Sequence, residues 1–551
     1  MASFKKLGLF IMIIFGMVLF LVGCGGGDGN AEPAGGGSGE AADDIVPEGD
    51  EDDTLYIGLT NAPAGFNPLN ATDTVAQWIL RMLYPTLLDQ PASLSFEGNL
   101  AESFETEDNQ SFTITLRSDA EWSDGEPITA DDVAYTLELI ANPDVETTWG
   151  VNISSLEGLQ STGKWEDGAD GVAGVEVVDE HTLILTTKTP VDPNYIKEMI
   201  GFNVYVVPKH IAEQYDPAEL SNSEFATTPS VSGSIYQFVD YETDSYVQLE
   251  ANPTYYKGEA ELKHVYLRVV NGTSLVTELQ SGGVDMAAGG GIGVIPVSEV
   301  DTLANDDNLV FESYPGFATQ FMFVNNDEFD ADVRLAMMYA IDREAIVEQL
   351  FRGNAEVLNS MYTSASVYFD PDVEAIPHDV DRARELLEGA DFDTSQEIEL
   401  TVPTGNRARE QSASLIQQNL EEAGFNVTQV TFDFVTALAN VREGDYQIGL
   451  IGIPLTSDPD QTYLWSQSGT TNLGRVNDEK LEQLLEEGRT ATDMDERQAI
   501  YTEMQAYWRD QAFAVGLYAD FQYKVQSKNL NGGIKEFWGG SLHDMHEWTK
   551  N

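Results

Sequence analysis

Alternating apolar and polar positions mark several short stretches of this chain as β-strands, because successive side chains of a strand point to opposite faces. The first, Thr54–Leu59, ends in a loop, residues 61–68, whose proline and glycine residues prevent the strand from continuing. Further strands are predicted at residues 111–117, 174–187 (two strands around Asp179), 236–250, 263–270, 397–402 and 447–453.

Apolar residues spaced three and four apart predict amphipathic helices between these strands. Asp73 can cap a helix over residues 74–84, and Thr129 can cap another over residues 130–141. In the C-terminal half, helices are predicted at residues 333–351, 380–387, 408–423, 438–443, 478–489 and 494–512. The alternation of helices with strands predicts an α/β fold.

Residues 1–23 have the pattern of a secretory signal peptide, with two lysines, an apolar run and a small residue at the end. The sequence Leu-Val-Gly-Cys at 21–24 resembles the lipobox of bacterial lipoproteins, which implies cleavage after Gly23 and a lipid anchor on Cys24. Cys24 is the only cysteine, so a disulfide or a cysteine-based zinc site is not available. An uncleaved signal anchor with an incidental cysteine is the alternative.

Residues 24–53 are rich in glycine and then in acidic residues, with almost nothing to bury. A chain of this composition is a flexible tether with a span of about 30 Å. The remaining residues, 54–551, contain no second long apolar segment and are numerous enough for two or three domains. The sequence therefore predicts a folded body held at the extracytoplasmic face of the cell membrane.

Acidic residues dominate the charge: 93 Asp and Glu oppose 28 Lys and Arg, which gives a net charge of −65. A polyanion gains no affinity from the release of counterions by phosphates, so nucleic acid is excluded as a partner. We interpret the charge as an adaptation to a salty or alkaline exterior.

Residues 120–133 resemble the W-x-D-G-x-P-[LIV]-T-A-x-D-V signature of the large peptide-binding lipoproteins of ABC importers. Locally, Asp124 and Gly125 predict a turn, with Trp122 packed beneath it. Further motifs follow in the order of that family at residues 252–256, 279–285, 323–326, 332–334, 340–343 and 458–460. The resemblance covers essentially all of residues 54–551.

The resemblance implies an α/β, two-lobed periplasmic-binding-protein-like fold, with an extra domain inserted in the first lobe and a chain that crosses between the lobes twice. We expect lobe I at residues 54–92, 205–315 and 522–551, the inserted domain at 93–204, and lobe II at 316–521. It also implies a substrate-binding lipoprotein that captures oligopeptides between the lobes and delivers them to an ABC permease, without a cofactor.

Loops that would face such a cleft supply the candidate ligand contacts. Peptide capture needs main-chain hydrogen bonds and roomy pockets with aromatic walls. The candidates are Asn61, Phe66, Trp149, Tyr314, Gln320, Gly452, Ile453, Pro454, Leu455, Asp458 and Trp465. For Phe66, Trp149, Tyr314 and Trp465, ordinary core packing is the alternative.

One position departs from the family. In its oligopeptide and dipeptide members an aspartate lies three residues before the acid of the Asp-Pro-Asp stretch and holds the peptide's amino terminus. Here that position is Leu455. Either a neighbouring acid such as Asp458 substitutes, or peptides are held by their main chain without a clamp on the terminus.

Sequence motifs for catalysis are weak. Residues 158–164 have the spacing of a phosphate loop, but Trp165 replaces the required Ser or Thr. The six histidines are scattered, and neither a nucleophile elbow nor a metal-binding helix motif occurs. We therefore expect no catalytic residue and no metal. An oligosaccharide or other solute is the alternative cargo, and a surface lipoprotein hydrolase is the competing class.

Overall fold

The computed structural model describes residues 51–551, except for residues 72, 170, 470, 536 and 538. The predicted signal peptide, the lipidation site Cys24 and residues 24–50 of the predicted tether lie outside the described residues. The end of that tether, Glu51–Asp53, forms one turn of 3-10 helix that leads into the first strand. No helix in the described part of the chain is both long and apolar enough to cross a membrane.

Strands and helices alternate along the described chain. The strands are β1 (Thr54–Leu59), β2 (Leu88–Ala92), β3 (Ser95–Gly98), β4 (Ala101–Thr106), β5 (Ser111–Leu116), β6 (Val175–Asp179), β7 (Thr182–Thr186), β8 (Tyr236–Glu242), β9 (Tyr246–Ala251), β10 (His264–Val269), β11 (Met286–Ala287), β12 (Leu309–Val324), β13 (Ala355–Val357), β14 (Glu397–Pro403), β15 (Asn426–Phe432), β16 (Ile448–Pro454), β17 (Ala514–Ser527), β18 (Leu530–Asn531) and β19 (Thr549–Lys550).

The helices complete the alternation. They are α1 (Thr74–Leu83), α2 (Ala130–Ala141), α3 (Gly150–Ile153), α4 (Pro193–Ile196), α5 (Lys209–Ala212), α6 (Glu224–Thr227), α7 (Gly272–Ser281), α8 (Val300–Ala304), α9 (Ala331–Ala340), α10 (Arg343–Phe351), α11 (Val380–Gly389), α12 (Arg407–Ala423), α13 (Phe434–Glu443), α14 (Thr462–Trp465), α15 (Glu479–Thr490) and α16 (Met494–Gln511). A π-helical stretch, Lys197–Phe202, continues from α4.

One large sheet extends through both halves of the molecule. Its strand order is β15-β14-β16-β12-β17-β11-β1-β10-β9-β8, and β13 pairs with β17. The long antiparallel strands β12 and β17 belong to both halves: the end of β12 pairs with β16, whereas the end of β17 pairs with β11. The two-lobed α/β fold expected from the sequence is thereby confirmed.

The ladder between β12 and β17 is irregular where these strands pass from one half to the other. Its register shifts between Pro315 and Thr319, and again between Gln320 and Phe321. Pro315 has no N–H to donate to the ladder, so pairing is interrupted there. The irregularity lies beside the boundaries at 315/316 and 521/522 that we expect between the lobes, and the boundaries themselves stay a prediction.

A separate four-stranded sheet, in the order β4-β5-β7-β6, lies within the predicted inserted domain. Its apolar side chains, including Leu116 and Leu183, join the same buried cluster as Leu55 of β1. The predicted inserted domain and the predicted lobe I therefore contribute to one apolar cluster.

The apolar run at the end of β12 is buried on both sides of the sheet. Met322 and Val324 belong to one buried cluster, which also includes residues of α9 and α12. Phe321 and Phe323 belong to a second cluster, with Trp465 and Trp508. A strand covered on both faces is continuously apolar instead of alternating.

The predicted turn before α2 is confirmed. Gly125 adopts a positive φ of 89°, its N–H donates to the carbonyl of Trp122 at 2.9 Å, and the Trp122 side chain is fully buried. Thr129 and Asp132 then form a capping box at the start of α2.

Two helix predictions need correction. The helix predicted over residues 333–351 is two helices, because Ile341 is extended and the Asp342 side chain accepts a hydrogen bond from the Ala345 N–H at 2.9 Å, which caps α10. The helix predicted to begin at residue 438 begins at Phe434, after the cap Asp433.

Candidate functional site

A cavity of about 630 Å³ lies between the two halves, beside the irregular part of the β12–β17 ladder. The residues that line it include 314–318 of β12, 454–457 at and just after the end of β16, and Glu198 and Phe202 of the π-helical stretch. Its volume is within the range of about 300–1,000 Å³ typical of small-ligand sites. We refer to this cavity as the cleft.

Aromatic and aliphatic side chains form much of the wall of the cleft. The rings of Phe317 and Phe537 meet edge to face, with centroids 6.2 Å apart. Phe202 also lines the cleft, and the Arg81 guanidinium lies 3.8 Å from the centroid of its ring. Leu455 adds an aliphatic surface. Such walls offer pockets for apolar parts of a ligand.

The loop that carries Leu455 is tied to β12. The N–H of Leu455 donates to the carbonyl of Phe317 at 2.8 Å, and the Thr319 hydroxyl donates to the carbonyl of Ile453 at 2.6 Å. The pairing of β12 with β16 therefore continues past the last residue of the strand. This continuation attaches the loop to β12 at the wall of the cleft.

A second cavity, of about 430 Å³, lies nearby, and several charged residues line it. Lys188 and Tyr195 line it from the inserted segment, and Asp460 and Arg489 line it from the second half. The two cavities are adjacent, because Ser457 lines the first and the next residue, Asp458, lines the second.

A buried charge cluster joins the inserted segment to the second half. Arg497, of which 2% is exposed, forms an ion pair with Asp192, and its Nη2 lies 3.6 Å from Oδ2 of Asp458. Burial raises the pKa of Asp458 to about 6, although Arg497 and a backbone N–H oppose that shift. Because Arg497 already supplies a positive charge beside it, Asp458 does not present an unpaired carboxylate.

A hydrogen bond between Glu198 and Ser457 also joins the inserted segment to the second half, closer to the cleft. Only 6% of it is exposed, and its Oε1 accepts a hydrogen bond from the Ser457 N–H at 3.2 Å. Burial, followed by the nearby charge of Asp458, raises the pKa of Glu198 to about 8, while the backbone N–H groups of Ser457 and Asp458 act in the other direction.

The structure brings some of the candidate residues to these cavities. Tyr314, Pro454 and Leu455 line the cleft, and Asp458 lines the second cavity. Gln320 and Gly452 form a pair in the ladder next to the cleft, and Oε1 of Gln320 accepts a hydrogen bond from Arg409 Nε at 2.9 Å.

Other candidates lie in the packed interior and do not reach the cleft. Phe66 packs against Phe238 and Tyr241, while Trp149 donates from its ring to the carbonyl of Pro68 at 2.8 Å. The residues placed in this way are Phe66, Trp149, Ile453 and Trp465. Asn61 is exposed on the surface.

Sequence reasoning did not single out Glu198, Phe202 or Arg497. Glu198 is one of 93 acidic residues, and it meets Ser457 across 259 positions of sequence. No local pattern identifies such a contact. Arg497 is one of only 28 basic residues, which could have drawn attention to it. Its partners could not be predicted, however, because an arginine in so acidic a protein has many possible ones.

The lysine of the loop with phosphate-loop spacing is hydrogen-bonded within the protein. Nζ of Lys164, in the loop with phosphate-loop spacing, donates to the carbonyls of Ile140, Asn142 and Val145 at 2.8 to 2.9 Å. Within the described residues, no three His, Cys, Asp or Glu side chains lie together in a way that could hold a metal ion.

A family model for bacterial extracellular solute-binding proteins, family 5 (the middle region), matches residues 95–475. The chain therefore belongs to the bacterial extracellular solute-binding proteins of family 5, and the resemblance seen in the sequence is confirmed.

Individual relatives agree over nearly the whole length. The oligopeptide-binding protein AppA of Bacillus subtilis is 24% identical over 521 residues, which are 90% of this chain and 91% of AppA. The solved structure of AppA in complex with a nonapeptide covers 90% of this chain and 99% of its own, with a TM-score of 0.72 and 21% identity. The substrate-binding protein CtaP of Listeria monocytogenes covers 91% and 100%, with a TM-score of 0.77 and 26% identity.

Proposed function

We propose that this protein is the substrate-binding component of an ABC importer and that it captures oligopeptides in the cleft between its lobes. The bound peptide is then delivered to permease subunits in the membrane. The protein acts by binding and by closure of the lobes, and it catalyses no reaction.

The position of the cleft carries this proposal. The cleft lies between two halves that share the long strands β12 and β17, and the ladder between these strands is irregular beside the cavity. Two lobes joined in this way can rotate about the shared strands and enclose a ligand. The cleft also has the aromatic walls and strand-end main chain that peptide recognition uses. AppA, a relative of similar length, is named an oligopeptide-binding protein and has been solved with a nonapeptide.

The attachment of the protein is part of the proposal. A lipid on Cys24, followed by the tether of residues 24–53, would hold the two lobes at the extracytoplasmic face of the membrane near the permease. Cells that produce Cys24→Ser should yield protein that radioactive palmitate does not label. Normal labelling of that variant would refute the anchor without affecting the proposal for the cleft.

The cargo can be identified directly. The tag-purified body, residues 54–551, is denatured, and the released small molecules are analysed by mass spectrometry. We expect a mixture of peptides. Release of an oligosaccharide instead would contradict the peptide assignment and favour the alternative cargo. Incubation with the recovered peptides should leave their masses unchanged, whereas cleavage that survives repurification would favour the hydrolase.

Closure gives an independent test. Saturation with a recovered peptide should lower the radius of gyration in solution scattering. A ligand that binds only the folded state adds about 2.7 kcal/mol to its stability at a hundredfold excess over the dissociation constant. Unchanged scattering under saturation would contradict closure of the lobes.

A further inference from the structure

Glu198 is held at the wall of the cleft with half of its carboxyl group unused. One oxygen, Oε1, accepts the hydrogen bond from the Ser457 N–H at 3.2 Å. The other, Oε2, is buried and accepts no hydrogen bond from any described residue. Buried polar atoms nearly always have partners, so an unused carboxyl oxygen beside a ligand cavity indicates a partner that the ligand supplies.

The charge of the cleft wall points in the same direction. Among the described residues that line the cleft, Glu198 is the only Asp, Glu, Lys, Arg or His. The wall therefore offers one acidic group and no basic group that could neutralise it. A carboxylate removed from water is stabilised when a cation binds it with hydrogen-bond geometry.

Asp458, the other acid near this boundary, is arranged differently. Its Oδ2 also accepts no hydrogen bond from the described residues, but that atom lies 3.6 Å from Nη2 of Arg497, and its Oδ1 accepts a hydrogen bond from the Asp460 N–H at 2.9 Å. It lines the second cavity and not the cleft. Of the two acids, Glu198 is thus the one with both an unused oxygen and a place on the wall of the cleft.

We propose that Glu198 is a specificity-determining residue whose carboxylate binds a primary ammonium group of the ligand in the cleft. The ammonium can come from the amino terminus of a peptide or from a lysine side chain. The inference rests on the proposed function, since it assigns one contact within a peptide-binding cleft.

The test compares Glu198→Gln with the wild type. Glutamine keeps the size of the side chain and an oxygen that can accept from Ser457, but it removes the charge. The matched control is Glu138→Gln, because Glu138 also accepts a backbone N–H, from Val172 at 2.9 Å, and does not line the cleft.

The probe is an equimolar pool of synthetic peptides, from dipeptides to nonapeptides, in three forms. The first has a free amino terminus and no lysine, the second is N-acetylated without lysine, and the third is N-acetylated with one lysine. The peptides compete for limiting protein, and the bound fraction of each is measured by mass spectrometry.

We expect the wild type to bind at least one of the amine-bearing forms about thirtyfold or more tightly than the acetylated form without lysine. The preference should fall to within about threefold in Glu198→Gln and persist in Glu138→Gln. Preference for the first form alone identifies the amino terminus, and preference for the third alone identifies the lysine side chain.

Two outcomes would overturn the inference while leaving peptide binding intact. One is equal binding of all three forms by the wild type, a result that does not depend on whether any variant folds. The other is an undiminished preference in Glu198→Gln. Absence of binding by all three forms would instead contradict the proposed function, and with it the contact that rests on it.

Discussion

Burial controls the two carboxyl groups at the boundary between the lobes. It raises the pKa of Glu198 to about 8 and that of Asp458 to about 6. A carboxyl group whose pKa is higher in the folded than in the unfolded protein binds its proton more tightly in the folded state. Its contribution to stability is therefore present at low pH and is lost as the pH rises through the folded pKa.

For Glu198 that window extends from the ordinary pKa of 4.5 to about 8. We expect the free energy of unfolding of the ligand-free wild type to fall over this range by on the order of a few kcal/mol more than that of Glu198→Gln. Urea unfolding of both proteins between weakly acidic and weakly alkaline pH measures the difference. Parallel curves for the wild type and Glu198→Gln would contradict the raised pKa.

Trp465 illustrates a candidate that the structure assigns to the core. Only 1% of it is exposed; its ring stacks on Phe323 with centroids 5.8 Å apart, and its Nε1 donates to Oε1 of Gln461 at 2.6 Å. Its large aromatic surface therefore packs against other side chains and not against the cleft.

We expect Trp465→Phe to lower the free energy of unfolding by about 1–3 kcal/mol, because the buried oxygen of Gln461 loses its donor. Peptide affinity should change by less than about twofold, since no contact with the ligand is removed. Chemical unfolding and calorimetry measure the two effects. A loss of affinity at unchanged stability would show that Trp465 contacts the ligand.

At the scale of elements, the sequence predicted strands from alternating apolar residues and helix starts from capping residues, because both depend on neighbouring positions in the chain. The alternation in Thr54–Leu59 predicted β1 with its observed bounds, and Thr129 caps α2 as expected. The break between α9 and α10 was missed because buried apolar residues continue at helical spacing on both sides of it, from Met337 and Ala340 to Ile346 and Val347.

The candidate site was less predictable, because it depends on contacts between distant parts of the chain. Leu455 and Pro454 were found through a family motif and do line the cleft. Phe66 and Trp149 have the same aromatic character as a ligand wall, but their partners in the core are set by tertiary packing. Sequence period alone does not distinguish these two environments.

The ion pair between Asp192 and Arg497 connects the N-terminus of α4 to α16. Asp192 also caps α4 through a hydrogen bond from the Asn194 N–H at 2.9 Å. Asp192→Asn keeps a capping side chain of the same size and removes the charge that pairs with Arg497. The change therefore tests the contact between the two elements and not the helix cap.

We expect Asp192→Asn to weaken peptide binding by about tenfold or more, through faster dissociation, because a charge-assisted contact across the boundary is lost. Asp216→Asn is the matched control: Asp216 precedes Pro217 as Asp192 precedes Pro193, and it accepts from the Ala218 N–H at 3.0 Å, but it is exposed. Surface plasmon resonance measures the rate at which the peptide dissociates from each variant. Equal rates in both variants would contradict a role for the ion pair in closure.

For the whole molecule, the net charge of −65 means that folding brings many like charges together. The last turn of α12 shows the problem locally, since Glu421 and Glu422 are exposed there, no basic residue lies in that turn, and carboxylates are unfavourable at a helix C-terminus. Salt screens such repulsion over about 10 Å at 0.1 M and about 3 Å at 1 M.

The thermal midpoint should therefore rise by on the order of several degrees between dilute buffer and molar NaCl. Most of the rise should occur at the lower salt concentrations, where the screening length shortens most. Sucrose at the same osmolality is the control, because it is excluded from the protein surface without screening charge. The double variant Glu421→Gln/Glu422→Gln should have a higher midpoint than the wild type in dilute buffer and a smaller response to NaCl, since less repulsion remains to be screened. A midpoint that is flat or falls with NaCl would mean that the folded state does not suffer from its charge, and the adaptation to salt inferred from the composition would then be wrong.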